Sequence, residues 1–338
     1  MVTQNELKAF YEIDLKPKLL FFEEQRQLLV SKLKPIGIIY GILVIFAILM
    51  MIIISNLDEA RRVTIIGVDN EEMIAVAFFA PTIYLITVTI VIIISYKKMK
   101  SSYQAHFKKA VVGSLVTLID ENLSYAPEKT ISVEAFHTSQ LFKQEYGNRV
   151  ENWSGEDYVS GILDGKNVKF SEVHAQEVET EIDDEGNVDT YTVTIFKGLF
   201  FIFNVNWDFE GTTFILPNNK LSFKKILQLL KLTKPALERE FVVYSDNPII
   251  ANYVFSTAFM QRLLALRRRL KTPIHLSFVN GKLYMAIPVT EDLFEPPVYE
   301  TVLNFQFIQT TFEYMRLGKV IVEELITLMK QPNSMDFE

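Results

Sequence analysis

His174 and Glu172 stand two residues apart in a stretch rich in β-branched side chains, so a strand carries both on one face. With Glu177 nearby they offer an imidazole nitrogen and carboxylate oxygens, the donors with which a zinc or similar site begins. Such a site needs third and fourth ligands. The other histidines, His106, His137 and His275, form no H-E-x-x-H zinc helix, so the plainer expectation is an exposed strand histidine with no metal and no cofactor. Glu181, Asp183, Glu185 and Gly186 imitate the first half of a calcium loop, but the twelfth position is Thr192, which cannot supply the bidentate carboxylate. A G-x-S-x-G elbow, a Walker A loop and a G-x-G-x-x-G turn are all missing, which lowers the expectation of a common enzyme. With no cysteine in the chain, thiol nucleophiles, thiolate metal sites and disulfides are excluded.

Charge is the stronger signal. Residues 145–189 hold 13 acidic against three basic residues, and the tip of this region is an acidic hairpin of Glu177, Glu179, Glu181, Asp183, Asp184 and Glu185. Residues 220–271 hold 11 basic against three acidic ones. Lys220, Lys224, Lys225, Lys231 and Lys234 fall on one expected amphipathic helix, and Arg262, Arg267, Arg268, Arg269 and Lys271 on a second. Beside a bilayer, each such cation contributes about 1 kcal/mol of attraction to anionic headgroups, so the basic residues read as a lipid- or partner-facing surface. The alternative is internal pairing with the acidic region or ordinary solvated helix faces. The chain as a whole carries −7, a poor balance for nucleic-acid binding, where affinity comes from neutralising phosphates.

The elements that position these residues begin with two long apolar runs. Ile36 to Ser55 and Ile74 to Tyr96 contain no charged residue. As helices rising about 1.5 Å per residue, each is long enough for a hydrocarbon core of roughly 30 Å. Lys16, Lys18, Arg26, Lys32 and Lys34 precede the first run, and Lys97, Lys98, Lys100, Lys108 and Lys109 follow the second. The loop between has only Arg61 and Arg62. By the positive-inside rule both termini are cytosolic. The apolar run starts too late and is too long for a signal peptide.

Residues 5–34 read as a helix, broken at Pro17, that either lies on the membrane surface or docks on the later domain. Tyr103 to about Asn122 reads as a helical stalk, with Val111, Val112, Leu115, Leu118 and Ile119 at helical spacing. Ser132 caps a short helix bearing Phe136, Leu141 and Phe142. From 157 the period changes to that of strands, with hairpins turning at Asp164-Gly165, at 183–187 and at Asn280-Gly281. Gly198 within a strand points to a bulge or a close backbone approach. A helix over 220–234, a strand at 241–244, a helix from about 248 to Leu270 and a closing helix from about Thr301 to Lys330 complete the reading.

The blocks SGEDYVSGILDGKNVKFSEVHAQEVE, IFKGLFFIFNVNWDFEGTTFILP, EREFVVYSDNPIIANYVFSTAFMQRLLAL and IHLSFVNGKLYMAIP together resemble the bacterial membrane family called domain of unknown function 3137. The resemblance runs from about Ser101 to Phe294 and implies an integral protein of the bacterial inner membrane with a cytosolic domain. It carries over no catalytic residue, and implies at most a LemA-type membrane protein as partner. The expected fold is α+β: a cytosolic segment at 1–35, a transmembrane hairpin at 36–96, a stalk at 97–122, and a cytosolic domain of antiparallel hairpins and packed helices at 123–338, divisible near 219. The expected function is a membrane-tethered binding or scaffold module. The alternative is a membrane-anchored enzyme of unfamiliar type with a carboxylate and histidine site.

Overall fold

The computed structural model describes residues 2–55, 71–143, 149–183, 186–205, 211–218, 227–232, 234–248, 251, 257–321 and 323. Within the helices, the side chains at 32–36, 39, 46, 50, 51, 53–55, 71–82, 85, 257 and 258 lie outside this description. Residues divide into a helical unit, Tyr11–Phe107 with Pro296–Asn304, and a sheet unit comprising the rest.

In the helical unit, α2 (Lys16–Ser55) packs beside α3 (Glu71–Phe107), while α1 (Gln4–Phe10) belongs to the sheet unit. Pro17 lacks the N–H that a helix interior needs, yet no break occurs there. A π-helical turn at Tyr11–Leu15 precedes it and the helix resumes at Lys16. Leu15, Leu19 and Phe22 are buried, and the Phe22 ring meets those of Tyr103 and Phe107 edge-on. The segment 296–304 is tied to α2 by polar contacts. The Tyr11 hydroxyl donates to the Leu303 carbonyl (2.6 Å), Arg26 donates to the Val298 carbonyl (3.0 Å), and Glu23 Oε2 accepts from the Val302 N–H (3.1 Å). The adjoining Arg26 guanidinium holds Glu23 down to about 2.

Further along α2 and α3 the burial pattern reverses. Ile38, Ile42, Ile45, Ile48, Leu49 and Ile52 on α2, and Ile83, Ile86, Ile90, Ile93 and Ile94 on α3, are each at least 46% exposed. The Tyr40 and Thr89 hydroxyls bridge the two helices. Among the described residues no helix is long and apolar enough to cross a membrane. Both expected spans are interrupted by side chains outside the description, as is the loop at 56–70.

Among the described residues the sheet unit is built on nine antiparallel strands: β1 (Leu123–Ala126), β2 (Asn152–Leu163), β3 (Lys166–Ile182), β4 (Val188–Asn204), β5 (Thr212–Pro217), β6 (Gln228–Leu230), β7 (Phe241–Ser245), β8 (His275–Val279) and β9 (Lys282–Pro288). Their order is β1-β2-β3-β4-β9-β8-β5-β7-β6. Two hairpin turns take the conformation their residues were expected to allow. Asp164 and Gly165 have φ of 47° and 75°, and Asn280 and Gly281 have 52° and 69°, the paired positive values of a type I′ turn. Gly198 answers to a close approach: a Cβ there would overlap the Ile287 carbonyl oxygen of neighbouring β9.

The sheet unit also holds a π-helical turn, Lys108–Val112, and α4 (Gly113–Ile119), burying Val111, Val112, Leu115 and Ile119. One sheet face carries Phe170, Phe201 and Phe203, with Gly318 against Phe170 from the segment after α8 (Phe305–Met315). The opposite face carries Phe200, Ile202, Tyr284 and Ala286 and is covered by α5 (Val133–Ser139), whose Phe136 stacks among Phe142, Trp153 and Phe200. Ser132 caps α5 through Ala135 N–H, as its sequence implies. Among the described residues, α6 (Pro235–Glu238) and α7 (Thr257–Leu270) precede α8.

One expected element is corrected. Residues 228–230 do not continue a helix over 220–234; they form β6, the sheet edge, paired antiparallel with β7 through Leu229↔Tyr244. Helical periodicity in this short run is outweighed by the ladder hydrogen bonds that β7 offers. Residues 219–226, with Lys220, Lys224 and Lys225, lie outside the described residues. The closing helix is shorter at its start than expected, beginning at Phe305, and 324–330 lie outside the description.

Candidate functional site

Among the described residues, a β-bulge builds a concentrated group of ionisable side chains. The β2–β3 register runs from Glu156↔Glu172 to Val159↔Phe170, leaving an extra residue on β2. Asp157 occupies the bulge with φ of 61°, a left-handed value that Asp tolerates better than most residues, and its N–H is held by the Pro127 carbonyl at 2.9 Å. The consequence is an inward-turned carboxylate, 1% exposed.

Lys108, on the π-helical turn and 3% exposed, meets it. Its Nζ lies 2.8 Å from Asp157 Oδ2, 2.8 Å from Glu156 Oε2 and 2.6 Å from Glu295 Oε1. An ammonium has three protons, and each here has a carboxylate acceptor. Tyr125 donates its hydroxyl to the other Asp157 oxygen. Burial alone would lower the Lys108 pKa, but the charges and hydrogen bonds of its carboxylates carry it above the ordinary lysine value. Burial pushes Asp157 up to about 6 against the pull of Lys108. At neutral pH this pair is ionised on both sides.

Glu172 faces the same cluster from β3. Burial, then repulsion from Asp157, raises it to about 8, so it keeps its proton at neutral pH, while Oε1 accepts the Leu293 N–H at 3.0 Å. Burial also raises Glu295. A cleft of about 270 Å³ opens alongside, lined by Glu156, Glu172, His174, Lys197 and Asp292.

Glu172 and His174 therefore share a face, as strand alternation requires, and line one cleft. They do not make a metal site with Glu177, which points to the opposite face, buried beside Arg149 at 3.3 Å. His174 Nε2 bonds the Thr194 hydroxyl at 3.1 Å, and burial followed by the Lys197 charge lowers its pKa. Single oxygens of Glu156, Asp157 and Glu172 lie within 4.8 Å of one another, a hard-oxygen set suited to a divalent cation. The Lys108 ammonium already holds two of these carboxylates. Kept protonated by them, it is neither a general base nor a Schiff-base nucleophile.

The basic residues read from sequence do not form one free surface. Arg267 pairs with Glu240 at 2.7 Å and lies over the Phe241 ring, and Arg269 pairs with Glu313 at 2.8 Å. Arg262, Arg268, Lys231, Lys234 and Lys271 are exposed. In the acidic hairpin, directly opposed pairs put Glu179 with Tyr191 and Glu181 with Asp189 on one face. Val178, Thr180, Ile182, Val188, Thr190 and Thr192 take the other face. Asp183 accepts the Asn187 N–H at the turn, and Asp184 and Glu185 lie outside the described residues.

Sequence reasoning singled out Glu172 and His174 and missed Lys108, Asp157 and Glu295. One signal for Lys108 was available: it sits between Phe107 and Val111 on a stretch whose spacing marks those neighbours for burial.

Residues 194–326 match the family model described as "Protein of unknown function (DUF3137)", in agreement with the resemblance carried by the sequence blocks. No curated protein matches the chain. Among solved structures, the chain is similar to the mycobacterial trehalose monomycolate transport factor A at 11% identity and a TM-score of 0.35, over 61% of this chain and 93% of that one.

Proposed function

We propose that this chain, whose residues 194–326 match the DUF3137 family model, is a membrane-anchored binding module. Its paired helices sit in a bilayer, both termini lie on the cytosolic side, and the sheet unit is the body that binds. The observation that carries the reading is the run of exposed isoleucines and leucines on α2 and α3. At about 25 cal/mol per Å² of apolar surface, leaving so many large side chains in water is unfavourable, and lipid removes that cost. The uncharged sequences 36–55 and 74–96 and the lysines flanking them support the same placement.

A binding role for the sheet unit is supported by its buried ion cluster. Every proton of Lys108 is engaged by a carboxylate of the same chain, which suits a group that fixes the β2 bulge better than one that transfers protons to a substrate. The exposed cations of 231–271 and anionic lipid headgroups are a compatible pair at the cytosolic surface.

The test is fractionation of the full-length chain from bacterial cells. It is expected to stay with membranes through alkaline carbonate washing, to need detergent for release, and to expose tags on both termini only after the membrane is opened. Recovery in detergent-free buffer, or tags reachable from outside intact cells, overturns the reading.

A further inference from the structure

The sheet face under α5 is not fully covered. Beyond the N-terminus of that helix lies a second cleft, of about 700 Å³, a size typical of small-molecule sites. Its floor is a patch of the sheet fixed by register: Lys169↔Ile202 across β3 and β4, Ile202↔Tyr284 and Asn204↔Lys282 across β4 and β9. Strand alternation puts Asn167 and Lys169, Ile202 and Asn204, and Lys282 and Tyr284 on this one face. Lys129, from the loop before α5, borders the cleft from above.

Lys169 and Lys282 are two strands and two residues apart, so their Cα atoms stand about 12 Å from each other. That separation is within the joint reach of two flexible four-carbon side chains closing on one group above Ile202 and Asn204. Several other cations of the sheet unit are engaged: Lys108, Arg149, Lys197, Arg267, Arg269, Arg316 and Lys319 have carboxylate partners. Among the described residues Lys129, Lys169 and Lys282 have none, although the chain has a net negative charge. The acid lining the cleft, Glu134, forms no ion pair with them. Its carboxylate turns back to its own backbone N–H and to Ser132 at the start of α5, interactions that hold it below the ordinary value. Asn167 and Asn204 add amide donors, and burial raises the Tyr284 pKa, keeping its phenol protonated as a further donor.

We propose that this cleft binds a ligand bearing a phosphate or another compact polyanionic group, held by Lys129, Lys169 and Lys282 and oriented by Asn167 and Asn204. The inference names a ligand class for the binding module proposed above, and it does not depend on where the helical unit resides.

The experiment uses the full-length chain in detergent micelles, titrated calorimetrically with inorganic pyrophosphate and with inorganic phosphate. In parallel, the chain is reconstituted and its association measured with phosphatidylcholine vesicles with and without phosphatidylglycerol. Saturable pyrophosphate binding is expected, weakened about tenfold by Lys169→Gln or Lys282→Gln, which is about 1.4 kcal/mol, and unchanged by Lys8→Gln outside the cleft. Association with phosphatidylglycerol vesicles alone, lost with the same two substitutions, supports the same anion site with a lipid headgroup as the source. Absence of saturable binding in both arms overturns the proposal. So does equal weakening by Lys8→Gln, which marks nonspecific attraction. The membrane reading is decided separately by fractionation, so either reading can fail without the other.

Discussion

The two faces of the nine-stranded sheet treat lysine in opposite ways. On one, Lys108 is enclosed and every proton it carries has a carboxylate from β2 or the 295 region. On the other, Lys129, Lys169 and Lys282 surround an open cleft, and none of the three is paired with a carboxylate. The difference teaches how to separate charge that holds the fold from charge available to a ligand. A buried ammonium requires its partners at all times, whereas a solvated one leaves the fold indifferent to its presence.

The sharpest way to break this comparison is Lys108→Met. It leaves Asp157 and its neighbours uncompensated, and a loss of about 3–5 kcal/mol is expected, read by chemical unfolding with Trp153 fluorescence as the signal. Adding Asp157→Leu should restore part of that loss. A single variant as stable as wild type would show that the cluster is not structural.

The next effect is a pH dependence. Glu172 has an ordinary value of 4.5 and is raised to about 8 in the fold, so the folded chain binds this proton more tightly than the unfolded one. Its contribution is complete below pH 4.5 and is lost as pH rises through about 8, an effect on the order of a few kcal/mol. Glu172→Gln should flatten the stability profile across that window. An unchanged slope in the variant would assign the dependence elsewhere.

Gly198→Ala tests the backbone on which both faces rest. Its φ of 148° and the approach of the Ile287 carbonyl leave no room for a Cβ, and a loss of roughly 1–3 kcal/mol from strain is expected in the same unfolding measurement. The smallest effect sharpens the comparison from the other side. Lys169→Gln with Lys282→Gln should change stability by no more than about 0.5 kcal/mol, since neither lysine has a partner to lose. A large loss would mean that the open face is as structural as the closed one.

What could be read in advance follows the range of the forces involved. The sequence by itself determined the features decided within a few residues. Asn280-Gly281 and Asp164-Gly165 turn because their positive φ angles are local steric matters, Ser132 caps because its hydroxyl reaches Ala135, and the apolar runs at 36–55 and 74–96 are visible in composition alone. The strand alternation that placed Glu172 beside His174 is equally local. Tertiary structure alone decided the rest. Residues 228–230 became an edge strand because β7 offered them hydrogen-bond partners, and the ion cluster assembles positions 108, 125, 157, 172 and 295, whose proximity no spacing rule encodes. Charge acts through space, so which lysine is enclosed and which is left open depended on how the strands and helices came to surround it.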